Sequence, residues 1–257
     1  MTKHQISRRD FLKLATAMLT TITLSLPLTG CNQAPPRAKI ILFDLSGSVE
    51  QCPETYESNK AMAQKIASEG RSGDIVVVIP FRSKGTPQDH ILRYRTKKGP
   101  QDSFLKEDRA QAAELTAKII EAEKSSITTD YSTDLLGSLA HAAMKAGELK
   151  KQYPGCKVAL YVFSDGVHTR GRGLSGKFTA KTYNIYLKRV RQVVGEAQKL
   201  PVGLKFSRIE WFGRHDCGLD ELDYQAVTFL QQQIELLWRE YLADNVTAGN
   251  FIFRRSY

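Results

Sequence analysis

Cysteine is scarce, with four in 257 residues. No two form a Cys-x-x-Cys pair, so a structural zinc site lacks its usual ligands. The five histidines are scattered, and none stands at a convincing spacing from a nucleophile for base catalysis. No uncharged apolar run reaches the ~20 residues of a spanning helix, which excludes a multi-span membrane protein. No period of twenty to fifty residues recurs, which argues against a solenoid or propeller. The net charge is +10, yet no aromatic–basic repeat or nucleic-acid motif accompanies it, so nucleic acid is not an expected partner.

What is present is ordinary globular material: 42% hydrophobic and 25% charged residues, enough for one large domain with a full core. The charge is uneven only at the start. Lys3, Arg8, Arg9 and Lys13 stand against Asp10, and the rest of the basic excess is spread along the chain.

Those early charges precede an apolar, uncharged segment from Leu14 to Leu28, the layout of an export signal. Ser7-Arg8-Arg9-Asp10-Phe11-Leu12-Lys13 resembles the twin-arginine export signal at every position of its pattern, with Arg8 and Arg9 as the pair. Leu28-Thr29-Gly30-Cys31 resembles a lipobox. The resemblance implies a bacterial lipoprotein, exported already folded, with Cys31 lipidated and the acyl chains held in a membrane facing the periplasm or cell exterior. The expected divisions are a signal over residues 1–30, a lipidated tether over 31–38 and one domain over 39–257.

Within that domain, Lys39–Asp44, Asp74–Phe81 and Val158–Ser164 are continuous apolar runs of strand length, suited to strands buried on both faces. Leu204–Phe212 alternates and reads as a fourth strand. The charged run His90–Thr96 reads as an edge strand. Helical spacing predicts helices over Glu54–Ser68, Asp108–Lys124, Asp134–Leu149, Asn184–Lys199 and Glu221–Leu242. Asn250–Tyr257 fits a short edge strand or a frayed tail. The alternation predicts an open α/β sheet with helices on both faces, whose ligands bind beyond the carboxyl ends of the central strands.

The chemistry concentrates at those ends. Phe43-Asp44-Leu45-Ser46-Gly47-Ser48 ends the first strand with an aspartate and two hydroxyls at every second position, hard oxygen donors that suit Mg²⁺ or Ca²⁺. Ser164-Asp165-Gly166 brings a second aspartate from another strand end, and Ser132-Thr133-Asp134 offers a hydroxyl at a helix start. In order and context, this set resembles the metal-ion-dependent adhesion site of the von Willebrand factor type A domain family. The likeness runs from about Lys39 to the C-terminus. It implies a doubly wound, mostly parallel sheet, with Asp44, Ser46, Ser48, Thr133 and Asp165 around Mg²⁺, Mn²⁺ or Ca²⁺. Thr128 and Thr129 compete with Thr133, which is preferred because Leu139 follows it by six residues.

The family implies a binding module, not an enzyme, in which a protein ligand's carboxylate fills the open metal position. Arg170, Arg172, Lys177 and Lys181 follow Asp165 and read either as a solvated loop or as a basic rim for an acidic partner. The rival is a metal-dependent hydrolase or phosphatase of α/β fold. Asp44-Leu45-Ser46 superficially resembles the first motif of haloacid-dehalogenase-like phosphatases, but Ser46 stands where they need an acid/base carboxylate. His168 and His215-Asp216-Cys217 are further loop residues at the same end. With Cys31 taken by lipid, Cys52 and Cys217 share one rim, while Cys156 lies ~20 Å away at the other end of a strand. The three are free thiols, or Cys52 pairs with Cys217.

Overall fold

In a computed structural model, the described residues are 34–46, 52–82, 88–96, 102–125, 132–170, 174, 178–201, 203–213, 219, 222–247 and 249–254. The signal and lipobox, with Arg8, Arg9 and Cys31, lie outside them, as do Ser48, Thr128, Thr129, Arg172, Lys177 and His215-Asp216-Cys217.

Among the described residues, six strands form one sheet: β1 (Arg37–Asp44), β2 (Ile75–Phe81), β3 (His90–Arg93), β4 (Lys157–Phe163), β5 (Arg208–Phe212) and β6 (Phe251–Arg254). The sheet order is β3-β2-β1-β4-β5-β6. Every neighbouring pair is parallel except β2 with β3. This is a doubly wound, mostly parallel α/β fold. The charged run at His90 does form an edge strand, and Phe251–Arg254 forms the opposite edge. The alternating run expected from Leu204 becomes a strand only at Arg208. Before that, Phe206 bridges to Val246, and its N–H donates to Asn245 O at 2.7 Å.

The apolar runs are continuous because successive side chains enter different cores. Ile40 and Leu42 of β1, Val77 and Ile79 of β2, and Leu160 and Val162 of β4 pack on one face. Ile41, Phe43, Val76, Val78 and Phe163 pack on the other. The first face is covered by α3 (Leu135–Gln152), α4 (Tyr183–Glu196) and α5 (Tyr224–Leu242), the second by α1 (Pro53–Ser68) and α2 (Asp102–Ser125). Pro53 opens α1, where its missing N–H costs no helical bond. Asp134 and Asp223 cap α3 and α5, accepting from Gly137 N at 3.0 Å and Ala226 N at 2.7 Å. No helix among the described residues is long and apolar enough to cross a membrane.

From β1 the chain moves outward to β2 and β3, then returns to β4 on β1's other side and continues to β5 and β6. The reversal leaves a crevice between the carboxyl ends of β1 and β4, where such sheets bind ligands.

Candidate metal site

Asp44 is the last residue of β1, and Ser164 and Asp165 follow β4 directly, so the sheet order alone brings the two sequence motifs to the crevice. Asp44 is 5% exposed, with Ser46, Thr133 and Ser164 also buried. The Ser46 N–H donates to Asp44 Oδ1 at 2.9 Å, and the Ser164 hydroxyl donates to Asp44 Oδ2 at 2.7 Å. Ser164 Oγ in turn accepts the Gly166 N–H at 3.1 Å. Asp165 Oδ1 accepts the Val167 N–H at 2.8 Å.

Burial, and then the nearby negative charge of Asp165, push the Asp44 carboxyl up to about 7, against a smaller lowering by its hydrogen bonds. The two carboxylates therefore sense one another in a site of low polarity.

The third loop is tied to the second. Thr133 N donates to Thr169 Oγ1 at 2.7 Å, and Thr133 O accepts from the N–H groups of Thr169 and Arg170 at 3.1 Å each. These bonds use the Thr133 backbone and not its hydroxyl. His168, which the sequence leaves as a loop residue, is 2% exposed. Its Nδ1 accepts the Leu135 N–H at 3.2 Å, which satisfies a first-turn donor of α3. Burial lowers its pKa, and the accepting Nδ1 latches the loop to the helix.

Two tryptophans fix the 164–166 turn from below. Trp211 Nε1 donates to Ser164 O at 2.8 Å and Trp238 Nε1 to Gly166 O at 2.9 Å, with their rings stacked at 5.5 Å. Gly166 has φ of +79°, and a Cβ there would meet Ile234 Cγ2 at 2.6 Å. Both demands call for glycine.

Sequence reasoning missed two groups. Ser164 appears there only as a neighbour of Asp165, yet its hydroxyl joins the β1 and β4 ends. Tyr186 falls in the run expected to be helical from Asn184 and is given no role there; its hydroxyl is buried beside the His168 backbone. Burial and the charge of Asp165 raise its pKa. A signal for Ser164 exists in the Ser-Asp-Gly triplet; none marks Tyr186, because its position depends on how α4 packs.

The expected basic rim is divided. The Arg170 guanidinium pairs with Asp134, so part of its charge is spent on the cap of α3, whereas Lys181 is exposed before α4. Cys52, at the start of α1, is disulfide-bonded, and Cys156 is a buried free thiol.

The candidate donors are all oxygen: the Asp44 and Asp165 carboxylates and the hydroxyls of Ser46 and Thr133, with the buried Tyr186 phenol near Asp165. Among the described residues, no three of His, Cys, Asp and Glu gather as a metal cluster. The oxygen chemistry of the candidate donors fits a hard divalent cation.

No family model matches the chain, and no curated protein matches it. An aerotolerance-related membrane protein from Bacteroides fragilis is a similar solved structure at 16% identity and a TM-score of 0.45, over 86% of this chain and 92% of that one. The BatB protein of Bacteroides thetaiotaomicron is similar at 13% identity and a TM-score of 0.42, over 86% and 91%. A von Willebrand factor type A protein from Catenulispora acidiphila is similar at 14% identity and a TM-score of 0.38, over 80% and 43%.

Proposed function

We propose that the protein is an exported, lipid-anchored binding module of von Willebrand factor type A character that captures a protein ligand's carboxylate at a divalent-metal site. Residues 1–30 serve as the twin-arginine signal read by Arg8 and Arg9, residues 31–38 as a tether lipidated at Cys31, and residues 39–257 as the binding domain. Asp44, Ser46, Ser48, Thr133 and Asp165 would hold Mg²⁺, Mn²⁺ or Ca²⁺. When bound, such a cation supplies a positive charge with a coordination position open to an external carboxylate.

The observation that carries this reading is the buried Ser164–Asp44 hydrogen bond at the β1/β4 crevice. It fixes one carboxylate beside the negative charge of another. Both Asp44 oxygens accept hydrogen bonds, so Asp44 would act on the cation through its charge, with Ser46, Ser48, Thr133 and Asp165 as the direct contacts. Lys181 gives the rim an exposed positive charge that steers an acidic partner. Catalysis finds less support: Ser46 stands in place of a second carboxylate, and the buried His168 has Nδ1 committed to Leu135 N.

Calorimetric titration of Mg²⁺ and Mn²⁺ into the wild type and Asp165→Ala tests the site. The wild type should bind and the variant should lose at least tenfold in affinity, with its circular dichroism unchanged. Equal affinity in the two proteins would remove the adhesion-site reading.

A further inference from the structure

The end of the sheet opposite the crevice carries a chemistry of its own. Arg37 begins β1 and Lys157 begins β4, while β3, running antiparallel, brings Arg93 to the same end. The α3 helix also finishes there, with Lys150 and Lys151 in its last turn. The Lys150 ammonium donates to Lys205 O, and Arg93 donates to the Tyr153 hydroxyl. These bonds join the helix end, the β3 end and the approach to β5 into one continuous surface.

Most of its acids are paired, with Glu69 at the end of α1 and Glu196 at the end of α4 as exposed exceptions. Asp74 pairs with Arg37, Asp108 and Glu107 pair with Arg95, and Asp244 pairs with Lys199. Arg93, Lys151, Lys157 and Lys205 are exposed, and no ion pair engages them among the described residues. The chain enters the domain in the middle of this patch: a Cβ on Gly155, in the turn before β4, would meet Pro35 Cγ at 3.3 Å.

We propose that this basic end of the sheet docks on the anionic headgroups of the membrane that holds the anchor, with the metal crevice turned away from the bilayer. The proposal rests on the lipoprotein reading of Cys31. Five residues, or six residue steps, separate Cys31 from Arg37, a reach of roughly 20 Å, so the patch stays within range of the lipid surface. The opposite crevice stands ~26 Å further out, the length of an eight-residue strand. Exposed lysines beside an acyl anchor add electrostatic attraction to the hydrophobic insertion.

The test measures sedimentation of full-length chains with vesicles of phosphatidylcholine and of equimolar phosphatidylcholine and phosphatidylglycerol, at low and high salt. One variant carries Lys151→Gln, Lys157→Gln and Lys205→Gln. A control removes the same charge elsewhere, through Lys118→Gln, Lys188→Gln and Arg189→Gln. The apolar segment at 14–28 is common to all three proteins, so their differences report the substituted surfaces. The first variant should lose roughly a hundredfold of its salt-sensitive binding to the anionic vesicles, and the control no more than a few-fold. Equal losses, or none, would overturn the proposal. Mass spectrometry of the membrane-extracted protein separates the two ideas: an unacylated Cys31 refutes the anchor, while the vesicle comparison independently decides the docking surface.

Discussion

Asp74 and Asp44 are buried aspartates at opposite ends of the sheet, 2% and 5% exposed, and their surroundings differ in kind. Asp74 stands before β2. It accepts the N–H groups of Arg37 and Arg71 at 3.0 and 2.9 Å, and the Arg37 guanidinium at 3.3 Å. Positive charge and backbone donors enclose it, and it joins the start of β1 to the turn that leads into β2. Asp44 accepts one N–H and the neutral hydroxyls of Ser164 and Ser46, and has the like charge of Asp165 beside it. The first carboxylate stabilises the fold as it stands. The second is held in position at an electrostatic cost that a cation would offset.

Removing Asp74 is the largest test of that difference. Asp74→Ala leaves two backbone N–H groups and a guanidinium without their acceptor, and should destabilise the protein by about 3–5 kcal/mol, read as a lower denaturant midpoint with or without Mg²⁺. At the other end, Asp44→Asn should leave metal-free stability unchanged or raised while abolishing Mg²⁺ binding. Comparable destabilisation by the two substitutions would erase the distinction.

The pH dependence sharpens it. A carboxyl raised from 3.8 to about 7 in the fold favours the folded state when protonated. Its contribution is fully present below pH 3.8 and is lost as pH rises through about 7. Between about pH 4 and pH 7, metal-free protein should lose on the order of 2–3 kcal/mol from this group. Asp44→Asn should flatten that part of a melting-temperature profile, and saturating Mg²⁺ should do the same in the wild type. An identical slope in wild type and variant would assign the dependence to other groups.

The smallest effect concerns the turn that carries Asp165. Gly166→Ala forces a side chain into a left-handed conformation and against Ile234, at about 1–3 kcal/mol. It should weaken Mg²⁺ binding more than its stability loss explains, because Val167 N and Ser164 Oγ lose their alignment. Unchanged Mg²⁺ affinity would show that the turn tolerates displacement.

The crevice was legible because strands buried on both faces announce themselves as apolar runs, and Asp44 and Asp165 stand at their ends. The α2 helix was less so: its periodicity reads from Asp108, but it begins at Asp102, where apolar spacing gives no signal. The alternating run at Leu204 misled because Phe206 meets Val246 and Asn245 before the β5 ladder begins. His168 shows a different limit. That an imidazole accepts the first N–H of α3 depends on where a loop thirty-three residues away folds, and local pattern carries no such information.

The order of synthesis gives the last strand an unexpected weight. Phe251 and Phe253 of β6 stack on Trp211 at 6.5 and 5.9 Å, and Trp211 is the residue whose indole holds Ser164 O. The strand is the final described element of the chain, so it leaves the ribosome after everything it must cover. Until it arrives, one face of Trp211 lies open to water and β5 has an unpaired edge. Pairing of β1 through β5 does not need β6, but the support beneath the crevice is finished only once β6 has emerged and paired with β5.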